Sequence, residues 1–411
     1  MISVRQALDL VLEGLPCTGQ ESVPLGAAGG RVLAADVAAP RDVPPFRNSA
    51  MDGYAVRSAD VAAASPTAPV ALRVLETVGA GSVARQAVGA GTAIRIMTGA
   101  PLPDGADAVV RVEDTGEDGA NVLVRAAVAA RGNVRDAGED MRAGEVVLES
   151  GRRLRPADIG LLASLGLPTI AVARRPRVAI IATGDELVDV GEPLGPGQIV
   201  NSNAYTLAAA VEEAGGEAIR LGIVRDQPER LRAAFAEAMT ADVALSTGGV
   251  SVGNFDYVRP ILSELGYQER FWKVAQKPGK PLTFGLCGRT PVFGLPGNPV
   301  SSLVCFYLYV LPALRAMMGR AQVHLPTAAA TLAAPLRGAA GLTEFVRCSL
   351  HGPPDAYEAR STGTQSSGAL RSLSLGDGLI VAPPDSGTLA AGARVRVVLL
   401  GGDAVAASAP F

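Results

Sequence analysis

The spacing of hydrophobic positions changes character along the chain. Over residues 1–15, Val4, Ala7, Leu8, Val11, Leu12 and Leu15 recur every three or four residues, which predicts an amphipathic helix. Asp9 and Glu13 sit between them, and these charges break any signal-peptide core. Up to about residue 175, short apolar runs such as 92–97 and 106–112 alternate with Pro and Gly turns and predict β-rich pieces. From 177 to 314, β-rich runs alternate with helical spacing, the pattern of βαβ units around a parallel sheet. From 326 onward the spacing is β-like again, with 394–400 a clear strand, and a small barrel or sandwich fits.

Within the middle region, 178–182 reads as a buried strand running into Thr183-Gly184-Asp185-Glu186. Asn203 is a candidate cap for a helix through 214, stopped by Gly215-Gly216. A strand over 217–224 follows, then Asp226 and a helix opened by Pro228 and running to about 239. The strand 242–246 ends in Thr247-Gly-Gly-Val-Ser-Val-Gly253, and the strand 291–295 ends in Pro296-Gly-Asn-Pro299 before another helix. Three polar or Gly-rich loops therefore fall at the carboxyl ends of strands, where open α/β sheets bind ligands. Glycines there let backbone N–H groups approach an anion. The longest apolar run, 303–314, is about a dozen residues and contains Pro312, which reads as too short to span a bilayer.

The 411 residues include 48 glycines and 29 prolines without any Gly-X-Y period, which implies many turns and Gly-shaped surfaces. Hydrophobics at 48% exclude a largely disordered chain, and a net charge of −3 points to neither nucleic acid nor an anionic membrane. Two histidines and four cysteines without a Cys-x-x-Cys pair make a zinc cage improbable, and the low cysteine density favours a reducing, cytoplasmic compartment. Gly79-Ala-Gly81-Ser-Val-Ala84 matches a loose dinucleotide-binding pattern, yet Gly89 and Gly91 interrupt any following helix, so an ordinary turn is the better reading.

All three lysines, Lys273, Lys277 and Lys280, lie beside the single Trp272, while every other basic charge is Arg. In one extended strand Lys273 and Lys277 would share a face and converge on one anion; a solvated basic edge is the plainer alternative. Met51-Asp52-Gly53-Tyr54 and Thr98-Gly99 each place a carboxylate or hydroxyl at a turn and alone read more readily as structural turns, and Glu139-Asp140 alone reads more readily as solvated surface.

Taken together and in order, 48–55 (NSAMDGYA), 95–101 (RIMTGAP), 138–140, 183–187 (TGDEL), 198–203 (QIVNSN), 246–253 (STGGVSVG), 271–281 and 295–302 (LPGNPVSS) resemble the molybdopterin molybdenumtransferase family, which includes the C-terminal domain of gephyrin. The resemblance implies a multidomain α/β plus β protein. Its expected parts are an elongated N-terminal region (1–44 and 145–175), an inserted β domain (45–144), a central doubly wound α/β molybdopterin-binding domain (176–325) and a C-terminal β barrel (326–411). It also implies a homodimer with its site between subunits. The implied reaction inserts molybdate into adenylylated molybdopterin and releases AMP, helped by a divalent cation such as Mg²⁺.

Carried over residue by residue, the family's catalytic positions are Asp52, Thr98, Asp140, Glu186, Asp226, Asp256, Lys273 and Lys277. Lys273, Lys277, Arg347 and Ser367 are assigned to molybdate, and Asp52, Glu186 and Asp256 to the cation. Ser246, Gly248, Gly249, Ser251, Gly253, Pro296, Gly297 and Asn298 are assigned to the pterin phosphate. A molybdopterin adenylyltransferase or a molybdoenzyme is among the implied partners; nucleic acid and membrane are not. Arg47 and Asp136 depart from the family's usual pattern near Asp140. Two rival readings are a molybdopterin adenylyltransferase, which would need only the central domain, and a gephyrin-like scaffold holding partner peptides.

Overall fold

The computed structural model describes residues 1–248 and 255–400, leaving aside the side chains of 255–257. The first helix, Val4–Leu12, is closed by a capping box in which Ser3 and Gln6 satisfy each other's backbone N–H groups. Its buried Ala7 and Val11 pack into the core of the α/β unit, so this helix belongs physically with that unit rather than with the β-rich pieces that follow it. Strand Gln20–Pro24 pairs antiparallel with Thr169–Ala173, and Val23, Leu33, Leu162, Ile170 and Val172 fill the small core beneath. Between these two strands is inserted a six-stranded sheet running from Gly53–Val56 to Asn121–Val124. Strand Val70–Val78 leaves into turns and irregular chain over 79–91, so no dinucleotide-binding helix follows it.

The α/β sheet has the order Glu217–Val224, Arg177–Thr183, Val243–Thr247, Thr290–Leu295, Thr283–Cys287, Tyr267–Trp272. The first four strands are parallel, Thr283–Cys287 runs opposite to them and Tyr267–Trp272 runs with them again, so the sheet is mixed rather than parallel throughout. The reversal comes from a hairpin at Gly288-Arg289, where Gly288 has φ +59°. Helices cover both faces. Ser202–Glu213 and the rod Pro299–Met317 pack on one side with Phe284 and Phe293, while Pro228–Ala238 and Phe255–Glu264 cover the other.

That rod is 19 residues long, exceeding the dozen apolar positions expected, and by length and composition alone it could cross a membrane. In this fold 78% of its apolar window is buried, with Val300, Val304, Cys305, Phe306, Tyr309 and Val310 all in the core. A π turn over Phe306–Val310 separates its α-helical ends just before Pro312, which has no N–H to donate.

In the last unit the strands Thr327–Leu332, Thr343–His351, Tyr357–Ser361, Gly378–Ala382 and Arg394–Leu399 close into a five-stranded barrel. Gln276–Lys277 of the α/β unit pairs parallel onto Thr343–His351 and joins the two units.

Candidate functional site

The carboxyl ends of three parallel strands open into a cavity of about 580 Å³. Thr183, Glu186, Thr247, Gly248 and Pro296–Asn298 line it. Gly248 has φ +88°, and a Cβ there would stand 2.4 Å from the carbonyl oxygen of Thr183 and leave no room for the strand ends to approach. Gly297 lies against the Gly248 backbone, so the floor is made of main chain.

The helix Ser202–Glu213 forms one wall. Its cap is Asn201, whose side chain accepts from the N–H of Ala204, and not Asn203 as the sequence suggests. Asn203 is thereby released to donate to Thr247 Oγ1 at 2.7 Å and to the carbonyl of Gly297 at 2.8 Å, tying the helix to both loops. Thr183 Oγ1 is buried on the cavity wall without a partner among the described residues. Asn298 starts the helix Pro299–Cys305, where a helix N-terminus favours an anion. Ile199 and Val200 are half-exposed at the rim and offer an apolar face. The last wall comes from the barrel unit: Gly368 lines the cavity, and the Ser367 carbonyl accepts from Val300 N at 3.1 Å.

Beside the cavity, Asp185, Glu186 and Asp226 crowd together at the ends of two adjacent strands. Burial, then the charges of Asp185 and Glu186, push the Asp226 carboxyl above its ordinary value. Arg225 donates to the Asp185 carbonyl and holds the two loops together.

Several expected site residues stand elsewhere. Ser246 is buried within its strand, and it is Thr247 that faces the cavity. Lys273 and Lys277 do not share one strand face: the strand ends at Trp272, and Lys273 takes the left-handed conformation at φ +69°, which breaks the period-two geometry. Lys273 Nζ lies 3.8 Å from the centre of the Trp272 ring, while Lys277 Nζ pairs with the buried Glu344 at 2.9 Å.

Arg347 is a buried clamp and not an open anion site. Its Nε donates to Ser372 Oγ at 2.7 Å, and Nη2 donates to the carbonyls of Thr364 and Ser366, so it shapes the loop that brings Gly368 to the cavity. Gly249, Ser251 and Gly253 lie outside the described residues, and of Asp256 only its place in the helix Phe255–Glu264 is described.

The N-terminal carboxylates form a separate group. Asp52 accepts from the backbone N–H of Thr98 at 2.7 Å and from its hydroxyl at 2.8 Å, and these bonds hold its carboxyl below the usual range. Asp140 lines a different cavity of about 460 Å³ with Val43, Pro44, Asn48, Arg135 and Glu139. Neither Asp52 nor Asp140 lines the α/β cavity of its own chain. The two departures from the family pattern meet, since Arg47 pairs with Asp136 at 3.5 Å, although Asp136 also pairs with Arg131. Among the described residues no group of three or more His, Cys, Asp or Glu is placed to hold a metal ion; the side chain of Asp256, assigned to the cation with Asp52 and Glu186, lies outside them.

Three family models match along the chain: "MoeA N-terminal region (domain I and II)" over residues 2–166, "Probable molybdopterin binding domain" over 179–316, and "MoeA C-terminal region (domain IV)" over 329–400. Molybdopterin molybdenumtransferase 2 of Mycobacterium tuberculosis (strain H37Rv) is 40% identical over 403 residues, 97% of this chain and 99% of the relative. The chain belongs to the molybdopterin molybdenumtransferase family. The Haemophilus influenzae molybdopterin molybdenumtransferase is 38% identical over 97% of this chain and 98% of its own. A solved structure of the molybdopterin biosynthesis MoeA protein of Pyrococcus horikoshii superposes with a TM-score of 0.85 at 35% identity, covering 98% of this chain and all of that one. The family's multidomain architecture is therefore that of the whole chain and not of its central unit alone.

Proposed function

We propose that this chain transfers molybdenum from molybdate to adenylylated molybdopterin, releasing AMP. The observation that carries the reading is the floor of the α/β cavity, where Gly248 and Gly297 bring bare main chain and a helix start to the carboxyl ends of the strands. Such a floor suits the phosphate of a pterin ligand, and the apolar rim at Ile199 and Val200 suits a flat ring beside it. Family membership over nearly the full chain weighs against an adenylyltransferase confined to the central unit.

We further propose that the working unit is a homodimer. Asp52 and Asp140 of one copy would face the α/β cavity of the other, because they line no part of that cavity in their own chain. Mg²⁺ is the proposed cation; the described residues of one chain do not assemble a site for it. Molybdate is a substrate in this reading. The four unpaired cysteines favour a cytoplasmic setting, where a molybdopterin adenylyltransferase would supply the substrate and a molybdoenzyme would accept the product.

The test is AMP release from adenylylated molybdopterin by the purified protein with molybdate and Mg²⁺. Release that needs molybdate and disappears in Lys273→Ala supports the reading. Folded protein that binds the substrate without releasing AMP would favour the scaffold.

A further inference from the structure

A second cavity, of about 430 Å³, lies where the N-terminal unit, the α/β unit and the entry to the barrel meet, and it shares no lining residue with the α/β cavity. Its wall carries Arg153, Arg175, Arg315 and Arg320 together with Arg31. The neighbours of these residues in sequence are committed: Arg152 pairs with Asp158 at 2.9 Å and Arg174 with Asp242 at 2.7 Å, and Arg31 itself pairs with Glu21. Among the described residues Arg153, Arg175, Arg315 and Arg320 pair with no carboxylate, although the exposed Glu212 and Glu213 stand on the same wall.

Arg315 is the centre of the group. Its Nη1 donates to the carbonyls of Val323 and His324 at 3.0 and 3.1 Å, which fixes the guanidinium, but its Nε is buried with no acceptor among the described residues. Burial, then the charges of Arg320 and Arg153, pull it down to about 10 against the smaller opposing effect of Glu213, and Arg320 is lowered by burial and by Arg153 in turn. A guanidinium left half-buried beside others of the same sign costs stability unless an anion joins it.

The backbone keeps these charges together. Gly151, at φ +78°, packs so closely on the carbonyl of Gly319 that a Cβ would come within 2.6 Å, which sets Arg153 and Arg320 side by side. Gly29, Gly30 and Gly215 leave the space open, and the π turn of the long rod places Phe306 and Tyr307 on the wall.

We propose that this junction is a binding site for a small phosphate-bearing anion, clasped by Arg153, Arg315 and Arg320. Planar guanidinium forks suit a tetrahedral oxyanion with several acceptor oxygens, and a cavity of this size admits a single phosphate or a small phosphate ester. Occupation would tie three units of the chain together at one point.

The experiment is calorimetric titration of the full chain with inorganic phosphate, and separately with AMP, at low ionic strength, followed by hydrogen exchange with each ligand. Ligand is expected to slow exchange in 151–154 and 318–321. Arg153→Gln combined with Arg320→Gln should weaken binding by at least about tenfold and abolish that protection, while Arg320→Lys retains part of it. Preference for inorganic phosphate over AMP, or the reverse, would identify the source of the phosphate group. Binding unchanged in the double variant, or wild-type protection confined to the α/β cavity around 296–300, would overturn the proposal; the wild-type exchange pattern decides even where a variant fails to fold.

Discussion

The α/β cavity and the Asp52–Asp140 face carry the same family's motifs but are built on opposite principles. The cavity is assembled from buried strand ends and a main-chain floor, with Asn203 cross-bracing two loops, so its polar groups are fixed before any ligand arrives. The N-terminal face is exposed, and Asp52 is held only by the N–H and hydroxyl of Thr98. One region is a pocket with a main-chain floor; in the other, Asp140 lines a separate cavity of about 460 Å³ that Asp52 does not line. That difference is what the proposed homodimer addresses, in which the two regions of different copies would meet in one site.

This contrast can be broken from either side. The largest effect is expected from Gly248→Ala, whose Cβ would collide with the Thr183 carbonyl at a positive φ. AMP release should fall roughly 10²-fold or more and stability by about 2 kcal/mol, measured by turnover and denaturant unfolding. On the other face, Asp52→Asn should remove activity as thoroughly with only a small change in Tm, because the residue is exposed and the amide oxygen of Asn can still accept from Thr98; a large drop in Tm would show that it has a structural task instead.

Lys277→Ala tests whether that lysine serves the fold as well as chemistry. It strands the buried Glu344, whose Oε2 already lacks a partner, and should cost about 1–2 kcal/mol given that Lys277 itself is half-exposed. Asn203→Ala should cost about 1 kcal/mol and raise KM more than it lowers kcat, since it loosens the wall without touching the reacting groups.

The smallest effects are in pH dependence and have opposite signs. Burial alone would raise Asp242, but the hydrogen bonds from Arg174 and from the Arg177 N–H outweigh it and lower the carboxyl. Its contribution is therefore present above its unfolded value of 3.8 and lost as pH falls through the lower folded value. Asp226 is raised, so its contribution is complete below 3.8 and is lost as pH rises through its folded value. Asp242→Asn should thus flatten the acid limb of the Tm profile, whereas Asp226→Asn should raise Tm slightly near neutral pH.

Much of the cavity could be read from residues whose role is local. Thr183–Glu186, Gly248 and Pro296–Asn298 end strands, and strand ends follow from apolar runs meeting glycine or proline. What escaped was set by contacts distant in sequence. Asn201 and Asn203 are equally good caps by composition, and only the proximity of Thr247 and Gly297 decides that the first caps and the second braces. Lysine rarely enters the left-handed region, so nothing local signals the break at Lys273 that separates it from Lys277. Arg347 reads as a free cation until the barrel closes around it and places Ser372 and the carbonyls of Thr364 and Ser366 against it. The mixed sheet likewise depends on the hairpin at Gly288, which a pattern of alternating strands and helices does not reveal.

The central claim is that one complete site needs the α/β cavity of one copy and Asp52 of another. The direct test is to co-express Asp52→Asn and Glu186→Gln chains with different tags and to isolate the mixed dimers. Each parent should be inactive, and the mixed dimer, holding one intact site of two, should release AMP at about half the wild-type rate. Mixed dimers as inactive as both parents would contradict the shared site and place the Asp52 chemistry within a single chain.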